Sequence, residues 1–302
     1  MTMNRTYLLT LAFLGLFACG QEQDIELSEE DHLEEINEWH QGQMDFLRSD
    51  EGWLNLIGLH WLEEGVNTFG SDGVDIKIHE GQFPNEIGTF FLENSSVYFS
   101  PSVDGVLLEG EELKERALVF DLMEGIDGHM KYKSLYWNII KRGDSFGIRL
   151  RDLNAQEVQE FDGVERYPVD MKWRVKANFV PYDPIKEVMI TNVVGQVSPN
   201  ASAGYVEFEI EGKKYQIDAL ANPDDIELFL MFADNTSGDE TYGGGRYMYV
   251  DRDFSNNEII LDFNKAYNPP CVYTAYATCP LPPRQNVLDL AITAGQKNYG
   301  KH

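Results

Sequence analysis

Between residues 74 and 263 the chain alternates apolar and polar side chains with a period of two, and this alternation restricts the fold more than any other feature. Val74-Asp-Ile-Lys-Ile, Ser96-Val-Tyr-Phe, Phe146-Gly-Ile-Arg-Leu-Arg and Trp173-Arg-Val-Lys-Ala each present one apolar and one polar face when extended. Runs at 135–140, 188–197, 205–210, 215–220, 226–232, 247–250 and 259–263 continue the series, rich in aromatic and β-branched residues. Glu211-Gly212 reads as a compact hairpin turn between two of them. No sustained helical period interrupts the runs, which argues against a β-α-β order. The prediction is a mainly β fold of antiparallel sandwich or barrel-like sheets.

One helix precedes the strands. Ser28 followed by Asp31 resembles a capping box, and Leu33, Ile36, His40, Met44 and Leu47 then recur at helical spacing. Residues 29–48 therefore read as an amphipathic helix, with Trp39 and Phe46 widening its apolar face and Gly52 ending it.

Before this helix lies a leader. Arg5 supplies a positive start, residues 7–17 an apolar core, and Leu16-Phe17-Ala18-Cys19 a lipobox-like site. An ordinary leader or an uncleaved helix are the alternatives. The apolar run is short for a membrane span, and a cysteine at the cleavage site favours lipidation of Cys19, with acyl chains such as palmitate. The expected organisation is a signal peptide over 1–18, an acidic tether over 19–27 and a single β-rich domain over 28–302. Pro181-Tyr-Asp-Pro184 marks either a subdomain corner or a hairpin corner. A lipid-anchored place in a bacterial cell envelope follows, the outer membrane favoured over the inner. The formal charge of −27 argues against nucleic acid and against adsorption to anionic lipid, so membrane attachment falls to the lipid.

With Cys19 acylated, Cys271 and Cys279 remain as an even pair, either disulfide-bonded in an oxidising compartment or packed as reduced thiols. They sit in Asp262-Phe-Asn-Lys-Ala-Tyr-Asn-Pro-Pro-Cys271 and the following run to Pro283, which holds five prolines. Proline fixes φ and removes a donor, so this stretch is expected to be an ordered, proline-braced loop.

Charge is uneven along the chain. From Lys131 to Lys176 there are ten Lys or Arg against seven Asp or Glu. Arg149 and Arg151 share one face of a strand whose other face is Phe146, Ile148 and Leu150. Paired guanidinium groups suit a carboxylate or phosphate, although charged strand faces also simply meet water. Asp234-Asn-Thr-Ser-Gly-Asp-Glu240 resembles a calcium loop only in part, because its glycine is one position early and no twelfth-position glutamate fits. Glycines 243–245 lack the Lys-Ser/Thr of a P-loop and read as a hairpin bringing Arg246 to the proline-rich loop. The templates G-x-S-x-G, H-E-x-x-H, S-x-x-K and C-x-x-C are absent from the sequence, and its six histidines are scattered singly. No metal site and no cofactor is expected.

These blocks together resemble the bacterial domain-of-unknown-function 1684 family. The resemblance is carried by Asp50-Glu-Gly-Trp-Leu-Asn-Leu-Ile-Gly-Leu-His-Trp-Leu, Gly65-Val-Asn-Thr-Phe-Gly, Gly147-Ile-Arg-Leu-Arg-Asp, Phe161-Asp-Gly, the 234–246 segment, and 262–271 with Cys279-Pro-Leu-Pro-Pro, Asn286 and Ala294-Gly. It extends over nearly the whole mature domain and implies no activity. It implies that Arg149, Arg151, Asp152, Asp234, Thr236, Thr241, Tyr242, Arg246, Asp262, Asn264, Tyr267 and Asn268 belong to the family pattern. The chain departs from that pattern at Gln296, where the family usually carries Glu. Relatives of cytoplasmic appearance share the Cys271 and Cys279 positions, so the resemblance does not imply an obligatory disulfide.

Two functions are expected from these residues. The first is a lipid-anchored binding or assembly module for an anionic small molecule, a glycan or an envelope protein. Its ligand residues would be drawn from Arg149, Arg151, Tyr242, Arg246, Asn264, Tyr267 and Asn268. The alternative is a hydrolase with Asp234 or Asp262 as base and Arg246 stabilising negative charge.

Overall fold

The structure is a computed structural model describing residues 27–78 and 83–300. The leader, Cys19 and residues 19–26 of the tether lie outside the described residues, as do His79 and His302. The fold is mainly β, with antiparallel sheets and an N-terminal helix, as the alternation predicts.

Helix α1 spans Glu29–Arg48, and Ser28 caps it by accepting from the Asp31 amide at 3.1 Å. Ile36, Met44 and Leu47 are buried as expected. Leu33 is not; it is 45% exposed, and the preceding His32 takes the fully buried position instead. The exchange has a physical reason. His32 Nε2 meets Asp262 Oδ2 at 2.6 Å, a partner that leucine could not use. Among the described residues no helix is long and apolar enough to cross a membrane.

The first β unit follows. Its strands are β1 (Leu56–Trp61), β2 (Gly65–Gly70), β3 (Ile76–Lys77), β4 (Gly88–Glu93), β5 (Ser96–Pro101) and β6 (Leu107–Leu108). Then come β7 (Glu111–Glu112), β8 (Ala117–Asp121), β9 (Ile126–Asp127), β10 (Met130–Tyr132), β11 (Leu135–Arg142) and β12 (Ser145–Asp152). Among the described residues they form two six-stranded sheets, ordered β1-β12-β11-β10-β6-β7 and β3-β2-β4-β5-β8-β9. One core joins the inner faces, with Phe69, Phe90, Phe99 and Trp137 fully buried at its centre. Phe69 and Trp137 lie 5.3 Å apart between ring centroids, one from each sheet. Aromatic residues of this size dominate the burial energy of such a layer, each stabilising by roughly 1.5–3 kcal/mol.

Helix α2 (Gln156–Glu160) leads into the second unit: β13 (Arg174–Thr191), β14 (Val197–Ile210), β15 (Lys213–Leu220), β16 (Glu227–Phe232), β17 (Arg246–Asp251) and β18 (Glu258–Asp262). The order β17-β16-β15-β14-β13-β18 curls until the two edge strands approach, giving a nearly closed barrel. Phe263 plugs it, packing within 6.2 Å of Trp173, 5.3 Å of Phe208 and 5.5 Å of Phe232 between ring centroids. The predicted turn at Glu211-Gly212 joins β14 to β15 with φ of 52° and 79°, the pair of positive values a type I′ hairpin requires.

Two local expectations differ. The run at 188–197 is not one strand: β13 ends at Thr191, and Asn192 turns the chain by accepting from the Val194 and Gln196 amides at 3.1 and 2.9 Å. Pro181-Tyr-Asp-Pro184 lies inside β13, where the pairing with β14 shifts register between Pro181 and Lys186.

The two units and α1 converge on the proline-rich loop. Met44 and Leu47 of α1 share a cluster with Leu54, Phe161, Val164, Val272 and Tyr273. Val188, Ile190, Met231 and Tyr247 on the outside of the barrel pack on Ala277 and Cys279. Cys271 and Cys279 are joined by a disulfide with Cα atoms 6.1 Å apart.

Candidate functional site

Most of the polar residues singled out around 234–268 fall into two hydrogen-bonded networks, the first of them sealed. Asp234 and Arg246 form an ion pair at 2.6 Å, both side chains having no exposed surface. Arg246 also donates to the Ile292 carbonyl at 3.0 Å and to the Ala294 carbonyl. Asp234 accepts from the amide and hydroxyl of Thr236 at 2.7 and 2.6 Å, and Thr236 contacts the Thr241 hydroxyl at 2.9 Å. These bonds tie the 234–241 loop to the carboxy-terminal segment. Gly245, at φ +84°, lets the chain pass, since a Cβ there would stand 2.5 Å from the Phe232 carbonyl and 2.7 Å from Pro282. Removing one partner of such a pair leaves an uncompensated buried charge, at a cost of about 3–5 kcal/mol. The geometry gives Arg246 a structural task and offers no route for a substrate to reach it.

Asp262 heads the second network. Its Oδ1 accepts from the amide and side chain of Asn264 at 3.0 and 2.8 Å, while Oδ2 faces His32. Asn264 in turn exchanges two bonds of 3.1 Å with the Asp170 backbone. Asn268 donates to the Lys297 carbonyl at 2.7 Å and, through its amide, to Gln296 Oε1 at 2.9 Å. Tyr273 donates to the same oxygen at 3.3 Å, so Gln296 serves as a shared acceptor. Tyr242 is half-buried against the α1 cluster, its ring lying over Gly244. His32 was not foreseen as a partner of this region, although its place four residues before Ile36 puts it on the buried helix face.

Arg149 and Tyr267 do meet, across a cleft of about 620 Å³ between the units. From α1 come Trp39, Gln43 and Phe46; from the first unit Trp53, Arg142 and Arg149. The outer face of the barrel supplies Phe229, Tyr247 and Tyr249, and the proline-rich loop closes the wall with Tyr267 and Ala277–Pro280. The aromatic rings form a continuous panel. Phe229 lies 4.9 Å from both Tyr247 and Tyr249, Tyr249 stacks on Tyr267 at 6.3 Å, and Trp39 reaches Tyr267 at 6.4 Å, all between centroids. Arg151 sits behind Arg149, its guanidinium 5.9 Å from the Trp53 ring and bonded to the Glu51 carbonyl at 3.1 Å.

The electrostatics of this cleft contrast with the rest of the chain. Arg142, Arg149 and Lys265 line it, and no Asp or Glu does, in a protein carrying 51 acidic residues. Lys265 is committed to Glu35 at 2.5 Å, and this bond is the main reason the Glu35 carboxyl is held below its ordinary range. Arg142 is exposed and donates to Thr278 Oγ1 at 3.4 Å and to its neighbour's carbonyl. Arg149 has no such commitment. Its Nε is buried without a hydrogen-bond partner, and it joins no ion pair among the described residues. Burial, followed by the positive charges of Arg151 and Arg142, pushes its pKa down to about 10, which still leaves it cationic at neutral pH. Burial also raises the phenols of Tyr247, Tyr249 and Tyr267, so the panel is neutral. The cleft thus presents an aromatic wall and, at Arg149, a partly buried cation without an ion-pair partner among the described residues.

Two β units and a bridging helix meet at an aromatic cleft whose lining holds no acidic residue. The sequence matches the family described as "protein of unknown function (DUF1684)" over residues 159–297. The match supports the family resemblance over the second unit of the chain. The matched span is narrower than the sequence blocks implied: it begins after β12, so Arg149, Arg151 and Trp53 lie outside it while Tyr247, Tyr249 and Tyr267 lie within. Among solved structures, the chain is similar to the solution NMR structure of an uncharacterized protein of Haloarcula marismortui. The two are 32% identical over 49% of this chain and 82% of that one, with a TM-score of 0.41. No curated protein matches.

Proposed function

We propose that this protein is a binding module whose ligand carries an anionic group seated on Arg149, with its remainder against the aromatic panel of Trp39, Trp53, Tyr249 and Tyr267. The observation that carries this reading is the uncompensated guanidinium in a cleft free of acidic residues. A partly buried charge without an ion-pair partner costs folding energy, and charged groups perturbed by burial cluster at functional sites. The lipobox-like Leu16–Cys19 supports anchoring through an acylated Cys19 in a bacterial envelope, with the outer membrane as its seat. In that arrangement the tether would hold the cleft near the membrane without embedding it.

Collisional quenching of tryptophan fluorescence tests the site. Trp39 and Trp53 line the cleft, so iodide should quench them more strongly than caesium, and Arg149→Met should reduce the iodide effect alone. Equal quenching of the native protein and the variant by iodide would remove Arg149 as an anion seat.

A further inference from the structure

We infer that the ligand of this cleft is a monocarboxylate with an apolar body, aromatic or acyl, rather than a phosphate ester or a sugar acid. The inference rests on the binding reading above and concerns the chemistry that this one site can satisfy.

The charge argument comes first. Arg149 is the cation in the cleft with no prior commitment among the described residues. Arg142 is exposed and bonded to Thr278, Lys265 is paired with Glu35, and Arg151 is bonded to the Glu51 carbonyl. A single guanidinium fork matches one carboxylate in bidentate fashion. A phosphate monoester brings close to two charges at neutral pH, and the second would be desolvated without an uncommitted partner.

The hydrogen-bond argument addresses the body of the ligand. The lining holds no carboxylate, it is mostly aromatic and apolar, and part of its polar groups are already hydrogen-bonded. The Tyr247 hydroxyl donates to the Pro280 carbonyl at 2.6 Å, Tyr249 and Tyr267 stack ring on ring at 6.3 Å between centroids, and Thr278 accepts from Arg142. Gln43 remains as the side-chain amide of the lining. The hydroxyls of a sugar acid would enter this space with few acceptors, and each unmatched group carries a desolvation penalty. Phe46, Trp39, Trp53, Phe229 and Pro270 instead offer faces that suit an aryl ring or an acyl chain.

The test is isothermal titration of the full chain, in a neutral detergent, with four probes: 4-phenylbutyrate, its neutral counterpart 4-phenylbutanol, phenyl phosphate and glucuronate. The native protein should bind 4-phenylbutyrate at least tenfold more tightly than the other three, and Arg149→Met should bring the carboxylate down to the level of the alcohol. Tighter, Arg149-dependent binding of phenyl phosphate or glucuronate would overturn the carboxylate assignment while leaving Arg149 as an anion seat. If all four probes bind alike, or Arg149→Met changes none of them, both the ligand class and the binding reading fall. Retained folding of the variant is checked by its far-ultraviolet circular dichroism.

Discussion

The Arg149 guanidinium lies 5.3 Å from the centroid of the Trp53 ring, and that aromatic face is what it has in place of a carboxylate. A cation over an indole gains about 0.5–2 kcal/mol, less than the loss of hydration on entering a partly buried site. The contact therefore holds the guanidinium in orientation without neutralising it, which leaves its charge available to a ligand.

Arg149→Met keeps much of the side-chain volume and removes the unpaired charge. The variant should be as stable as the native protein or more so, by about 1 kcal/mol, in urea denaturation. A loss of stability would mean that Arg149 holds the fold together, and its role in binding would need another explanation.

Asp262 is expected to behave as a structural residue. Its carboxylate joins α1 to the end of β18 through His32 and caps the turn that contains Asn264. Asp262→Asn should lower stability by roughly 1–3 kcal/mol through the altered buried hydrogen bonds, measured by chemical denaturation. Unchanged stability together with loss of a turnover would instead favour a chemical role.

The Glu35–Lys265 bond at the cleft edge gives an acid-dependent contribution. The folded carboxyl titrates below its ordinary value of 4.5, so its stabilising effect is present above that pH and disappears as pH falls through the folded value. The difference in melting temperature between native protein and Glu35→Gln should therefore be visible at pH 7 and vanish once the pH has fallen below the folded value. A difference that persisted in acid would point to packing rather than charge.

The disulfide should matter to both stability and the cleft. Replacing Cys271 and Cys279 by Ala opens a short loop, costing about 2.5 kcal/mol on chain-entropy grounds. Because Cys279 and its neighbours Thr278 and Pro280 form part of the cleft wall, affinity for an anionic probe should fall as well. Calorimetry on the double variant checks both, and native stability with native affinity would show that the prolines alone brace the loop.

How far these features were legible in the sequence depends on their range. The Ser28 cap and the spacing of Ile36, Met44 and Leu47 are local, and they located α1 to the residue. Alternation placed Arg149 and Arg151 on one face of β12 for the same reason. The 188–197 run misled because Val193 and Val194 are apolar, although Asn192 and Gly195 carried a turn signal. The cleft itself was not legible. Trp39, Trp53, Tyr249 and Tyr267 come from a helix, a connection, a strand and a loop, and only the docking of α1 and the two units brings them together. The sequence could not show that Asp234 and Arg246 close on each other without exposed surface while Tyr267 lines the cleft, because charge pattern does not distinguish a sealed ion pair from an open one.

The central claim is that Arg149 holds an anionic ligand, and native mass spectrometry tests it most directly. The full chain and its Arg149→Met variant would be purified in neutral detergent and weighed intact. The account predicts a reproducible small anionic adduct on the native protein that the variant loses. An adduct retained equally by the variant, or a native protein that stays bare even when 4-phenylbutyrate is supplied, would contradict it.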